Sequence, residues 1–234
     1  MRIAILCVSF TALLAGCGES AAPAVPEASR PAPAPADPAT PGQASVAPAP
    51  GEQGGTDDWR EVVTAEDASR IDRLDEAWRQ ARAEADEKGF GDQIAALGPL
   101  ADPDAGQAGR LQPPPGDYRC RTFLIGSPDG RGLGFIPYGW FRCSVELTPG
   151  GDLILTKTTG SQRPRGLLYP DGDRRLVFVG TTALGSDETA YPAYGQTPGR
   201  DQVGVLERIG PQRWRLVLPW PRQDAKLRIM VIVR

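Results

Sequence analysis

At 234 residues, 40% apolar and 24% charged, the chain has material for one sizeable core, and its net charge of −3 offers no general attraction for nucleic acid. It contains no histidine, which removes the commonest general base, the usual zinc ligand and every Ser-His or Cys-His nucleophile pair. Any chemistry would have to run on carboxylates, Lys or Tyr.

Residues 1–16 read as a signal segment. Arg2 supplies a short positive region, and the apolar run that follows, Ile3 to Ala15, is shorter than the roughly 20 residues a membrane span needs. Leu14-Ala15-Gly16-Cys17 resembles the lipobox of bacterial lipoproteins, which predicts cleavage before Cys17 and lipid on its thiol; the alternative is an ordinary secretory signal followed by a chance cysteine. Gly18 in place of Asp favours the outer over the inner membrane. The expected location is the cell envelope, lipid-anchored and facing the periplasm, with the membrane as partner through Cys17. Residues 17–56 then form a Pro/Ala-rich linker without an aromatic residue, too poor in apolar surface to offset its ordering entropy. Pro31-Ala32-Pro33-Ala34-Pro35 favours extended polyproline II.

Residues 57–112 are predicted helical. Thr64 followed by Glu66 and Asp67 is a helix start, and Ile71, Leu74, Trp78, Ala81 and Ala85 recur at helical spacing up to Lys88, where Gly89 stops the run. A shorter piece, Asp92 to Leu97, precedes Gly98-Pro99. An isolated amphipathic helix of this length is marginal, so the stripe is expected to dock on the rest of the chain.

From residue 113 to 234 the period becomes strand-like. Eight segments alternate with Gly, Pro and Asp: Tyr118 to Ile125, Trp140 to Leu147, Leu153 to Thr158, Leu167 to Tyr169, Leu176 to Thr181, Val203 to Ile209, Trp214 to Leu218 and Leu227 to Val233. No helix-length segment separates them, so a parallel α/β sheet is not expected. The predicted fold class is α+β, mostly β: a seven- or eight-stranded antiparallel meander, forming a small closed or partly open barrel, with the helix packed on it.

Four cysteines occur; Cys7 leaves with the signal and lipid consumes Cys17, so Cys120 and Cys143 form one pair in an oxidising compartment. A disulfide between them is expected, with two buried free thiols as the alternative. If Cys120 stands opposite Cys143 in a hairpin, the turn centres near Arg131-Gly132. Tyr118, Leu124, Phe141, Val145 and Leu147 then share the cysteine face, while Arg119, Arg121, Arg142 and Glu146 take the other.

No sequence feature specifies a catalytic residue, a metal site or a cofactor. The densest polar stretch, Lys157-Thr158-Thr159-Gly160-Ser161-Gln162-Arg163, reads first as a turn whose side chains satisfy backbone groups, second as a loop contacting an anion or peptide, and last as a Ser-Lys pair, whose spacing it does not match. Candidate binding residues are therefore Lys157, Ser161, Gln162 and Arg163, with Arg200 and Asp201 as a second charge pair beside Glu207 and Arg208, for which a structural role is the first reading. Trp140, Trp214 and Trp220 suit core packing better than a cavity wall. Charge is segregated: residues 18–116 hold 8 basic and 18 acidic side chains, net −10, and residues 117–234 hold 17 and 11, net +6. The basic β region could meet an anionic envelope component or another envelope protein, or be neutralised by the acidic helix.

Pro115-Gly-Asp-Tyr-Arg-Cys-Arg121, Phe141-Arg-Cys143, the stretch 157–163, Arg200-Asp-Gln-Val-Gly-Val-Leu-Glu-Arg208 and Arg213-Trp-Arg-Leu-Val217, together with the helix bearing Trp78, resemble a proteobacterial lipoprotein family catalogued as a domain of unknown function, the one numbered 4893. The resemblance covers about residues 57–234 and implies one coherent domain with no assigned activity. The expected function is a non-enzymatic binding or structural module of the envelope. The alternatives are a protease-inhibitor-like small barrel, on size, disulfide and export alone, and an enzyme without histidine.

Overall fold

The computed structural model describes residues 55–222 and 224–234; the signal segment, Cys17 and the linker up to residue 54 lie outside the described residues. The β region is a closed barrel of eight strands in sequence order: β1 (Gly116–Ile125), β2 (Phe135–Leu147), β3 (Leu153–Lys157), β4 (Gln162–Asp171), β5 (Arg175–Leu184), β6 (Asp201–Gly210), β7 (Arg213–Pro219) and β8 (Leu227–Val233). Every pairing is antiparallel, and β8 returns to β1 to close the sheet. Closure leaves no unpaired edge. The meander predicted from strand spacing is thus the fold, with β4 running well beyond the expected Leu167 to Tyr169. Pro164 and Gly166 weaken the strand signal there, yet Gly166 and Gly180 face each other across β4 and β5. A Cβ at Gly180 would lie 2.0 Å from the Arg165 carbonyl oxygen, and one at Gly166 would lie 2.4 Å from that of Val179. The glycines mark the close backbone approach that lets the small barrel bend.

Alternation along the strands builds two apolar layers. One face supplies Cys120, Val145, Leu155, Phe178, Leu206, Leu216 and Ile232 to the barrel interior. The opposite face supplies Phe123, Val177, Val205, Val217, Ile229 and Val231 to a second core outside the wall. This second layer explains why several strands are apolar on both sides: the helices cover it. Helix α1 (Ala65–Asp72) packs on β6, and α2 (Leu74–Glu87) lies against β1, β7 and β8. All five residues of the predicted stripe, Ile71, Leu74, Trp78, Ala81 and Ala85, are buried.

The single helix expected from Ala65 to Lys88 is in fact two. Thr64 caps α1 by accepting from the Asp67 amide at 3.2 Å, and the helical path breaks at Arg73 (φ −102°, ψ 23°). The buried Arg70 guanidinium pins α1 by donating to the carbonyls of Pro219 and Trp220 at 3.0 and 2.7 Å. Helix α2 can then follow the wall at another angle, which a straight rod could not do around a curved surface. A short α3 (Gly91–Ala95) and a 3-10 turn at Gly98–Leu100 stand where Asp92 to Leu97 was expected.

The Cys120–Cys143 disulfide joins β1 and β2, with Cα atoms 5.9 Å apart. The cysteines are not directly opposed: Cys120 pairs with Phe141 and Tyr118 with Cys143, so the bridge is diagonal. The turn accordingly centres near Gly130, closed by Gly126 donating to Gly134. A slip of two residues preserves the faces, so Tyr118, Leu124 and Val145 still point inward. Leu147 does not: at the far end of β2 it is 58% exposed. Trp214 is buried, and its indole N–H donates to the Leu111 carbonyl at 2.7 Å. Trp140, by contrast, stands outward under the Arg119 guanidinium, which corrects the packing expectation for that ring.

Candidate functional site

At one end of the barrel the inward positions change from apolar to polar. On β8 the sequence Leu-Arg-Ile-Met-Val-Ile places Arg228 on the same face as Met230 and Ile232, so a guanidinium points into the barrel at a position the rest of the strand fills with hydrocarbon. Lys157 occupies the corresponding end of β3, on the face of Leu155. Both cations are buried, at 3% and 5% exposure. They line a pocket of about 130 Å3 with Thr122, Leu124, Phe141, Gln162, Leu218 and Met230, and Tyr138 and Ser161 also face it. A β-bulge between the Arg121 and Phe123 pairings sets Tyr138 and Gly139 against one residue of β1, a device that re-aims side chains.

The Lys157 ammonium donates to the carbonyls of Thr159 and Gln162, both at 2.8 Å, and lies 3.8 Å from the centre of the Phe141 ring. Among the described residues no carboxylate pairs with it. Burial, then the neighbouring Arg228 and Arg163 charges, pulls the Lys157 pKa down to about 8. Arg228 donates to the Gln162 side-chain oxygen at 2.6 Å and to Asp224, but its Nε is buried without a partner, as is the Thr182 hydroxyl. Gly160 makes the arrangement possible. With φ at +91°, a Cβ there would lie 2.7 Å from the Lys157 Nζ and 2.8 Å from the Phe141 ring.

The sequence-predicted residues separate into two groups. Lys157, Ser161 and Gln162 meet in this pocket. Arg163 takes the opposite face of β4, where its guanidinium donates to the carbonyls of Gly160, Gly185 and Glu188. It ties the Gly160 turn to the segment after β5. Arg200 pairs with Glu188 on that same segment, and Asp201 is buried apart, accepting from the Gly195 amide at 3.1 Å. Neither pairing predicted from adjacency forms: Arg200 does not pair with Asp201, and Glu207 pairs with Arg215, not Arg208. Among the described residues no group of three or more potential ligands stands ready for a metal. A larger hollow of about 320 Å3 between α2 and residues 101–104 is lined by Trp78, Ile94, Ala101 and Ile125, but it holds no buried, unpartnered charge.

A family described as domain of unknown function (DUF4893) matches residues 59–232. The chain belongs to that family. The match begins at Trp59, whose indole N–H donates to Asp171 at the end of β4, and runs through helices and barrel alike. No curated protein and no solved structure matches the chain. Within the DUF4893 domain, sequence reasoning missed Arg228, Asp224, Phe141 and Tyr138. Arg228 left one signal, a lone cation inside the otherwise apolar run Leu227–Val233.

Proposed function

We propose that this DUF4893 protein is a non-enzymatic binding module of the cell envelope, carried on lipid at Cys17, whose barrel mouth receives an anionic group. The observation that carries the reading is Lys157: a buried ammonium with carbonyl partners but no carboxylate. Lys is almost never fully buried unless paired, so this charge is a standing cost that an incoming anion would relieve. Arg228, 3% exposed on the same wall and paired with Asp224, adds a guanidinium beside it. The pocket's acid, Asp224, is already bound to Arg228, and the Lys157 ammonium is held by two carbonyls. The disulfide fits an oxidising compartment, and Leu14-Ala15-Gly16-Cys17 supplies the lipid anchor.

Two measurements test the reading. Thermal melts of the full chain with acetate, phosphate or sulfate should show stabilisation that disappears in Lys157→Met, following ordinary ligand linkage. Intact-mass analysis from native envelopes should show an N-terminus at Cys17 carrying acyl chains. An anion effect that Lys157→Met leaves unchanged sinks the binding site, and an unmodified N-terminus sinks the anchor.

A further inference from the structure

We infer that the barrel-mouth pocket is built for a monocarboxylate with a short aliphatic stem, either a short free acid or that end of a longer acyl chain; this rests on the reading of the mouth as an anion site. Charge selects the valence. Asp224 neutralises Arg228, which leaves Lys157 as the one uncompensated charge among the groups lining the pocket. A single negative charge balances it, whereas a phosphate dianion would bury a surplus.

Hydrogen-bonding capacity selects the shape. An ammonium has three donors, and two of those on Lys157 are taken by the Thr159 and Gln162 carbonyls. The third has only the Phe141 ring face within reach among described residues. The Arg228 guanidinium beside Lys157 is already engaged with Gln162 and Asp224. One free ammonium donor, with the Thr122, Tyr138 and Ser161 hydroxyls on the same wall, suffices for the two oxygens of a carboxylate, and charge-assisted bonds of this kind are the strong ones. A phosphate would bring four oxygens and a larger charge to the same few donors, beside the apolar Leu124, Phe141, Leu218 and Met230.

Volume selects the size. The cavity of about 130 Å3 equals the share of roughly four liquid waters, well under the roughly 300–1,000 Å3 of sites that engulf a drug-sized ligand. It admits a carboxylate and a few methylenes; anything longer leaves past Tyr138, a 40% exposed ring on the rim. The apolar wall gives those methylenes a dry surface.

The test is calorimetric titration of the detergent-solubilised full chain with butyrate, hexanoate, butyramide and inorganic phosphate, repeated on Lys157→Met and Arg228→Lys. Melting curves of both variants confirm that each is folded. Butyrate or hexanoate should bind, with butyramide and phosphate weaker by about tenfold or more, the loss expected when a hydrogen bond to a charged group is forfeited. Lys157→Met should abolish the preference for butyrate over butyramide; Arg228→Lys, which keeps the charge but breaks the guanidinium bonds to Gln162 and Asp224 that shape the wall, should weaken butyrate while sparing its preference. Hexanoate binding at least as well as butyrate identifies the acyl-chain end, and butyrate binding better identifies a free short acid. Phosphate binding tightest with the same Lys157 dependence overturns the carboxylate assignment and leaves the anion site standing. Absence of binding by every probe, or binding indifferent to Lys157→Met, overturns both.

Discussion

The guanidinium of Arg215 and the carboxylate of Glu207 meet at 2.8 Å across β6 and β7, on the outside of the barrel wall, with the guanidinium wholly out of solvent and the carboxylate 14% exposed. Arg215 also donates to the carbonyls of Pro99 at 3.0 Å, Leu100 at 3.2 Å and Pro103 at 2.9 Å. One side chain thus satisfies the irregular backbone between the last helical turn and the barrel, groups that would otherwise be buried unpaired. Arg215→Ala should cost about 3–5 kcal/mol, the range for breaking a buried ion pair, read from urea unfolding. A loss below about 1 kcal/mol would show that the segment 98–103 is held by its apolar contacts alone.

Helix docking is a matter of buried area. Trp78 is 7% exposed in the outer core, and Trp78→Ala should cost about 3–5 kcal/mol. Removing residues 57–112 would uncover Val203, Val205, Val217 and Ile229 together, a patch soluble monomers rarely expose. The fragment 113–234 should therefore lose cooperative unfolding or self-associate in size-exclusion chromatography; a monomeric fragment of unchanged melting temperature refutes docking.

The disulfide closes a loop between positions 23 apart. Chain-entropy reasoning gives about 3 kcal/mol, and the Cys120→Ala, Cys143→Ala double variant should lose that much in guanidinium unfolding. Thiol labelling of native protein without reductant should find neither cysteine.

Glu84 governs acid stability. Burial alone would raise its pKa, but Lys226, Lys88 and Ser127 together bring it down to about 2. A carboxyl depressed in the folded state contributes stability that is complete above its unfolded pKa near 4.5 and is lost as pH falls toward 2. The contribution is up to about 3 kcal/mol at 1.36 kcal/mol per unit. Stability measured at intervals from pH 6 to pH 2 should fall more steeply in the wild type than in Glu84→Gln; parallel curves would show that the Lys226 and Lys88 contacts carry no net energy.

Lys157 acts with the opposite sign. Its pKa is pulled from 10.5 to about 8, so between those values the folded protein holds fewer protons than the unfolded one, and stability contributed by this group rises with pH. Anion affinity should move the other way, declining above about pH 8 as the ammonium is lost. The charged groups around it are Arg228 from β8, which pairs with Asp224, and Arg163 from β4; Tyr138 stands on the rim. Lys157→Met should flatten both trends.

The fold was legible because its signals are local and periodic. Strand spacing, the lack of intervening helices and an even pair of cysteines were enough for an antiparallel barrel, and the stripe through Trp78 was enough for a docked helix. The diagonal disulfide was not legible, since a slip of two residues leaves every face unchanged and is invisible to alternation. Arg73 carries no Gly or Pro signal, so the break there follows from the curvature of the wall and not from propensity. The site was half legible. Lys157, Ser161 and Gln162 announced themselves as a polar cluster in one loop. Arg228 and Phe141 come from strands far away in sequence, and only the closed barrel brings them to the same mouth.

Arg228 and Met230 stand on β8, Thr122 and Leu124 on β1, and these two strands form the seam where the barrel closes on itself. The barrel-mouth pocket therefore straddles a ladder that joins segments about a hundred positions apart and so pays the largest loop-closure cost of any pairing in the sheet. A molecule with an open seam keeps the disulfide hairpin but owns no pocket. Occupancy of the proposed site would thus be a readout of completed folding, and a ligand lying between Arg228 on one lip and Leu124 on the other would act as a stitch across the seam, slowing the opening of the barrel from that end.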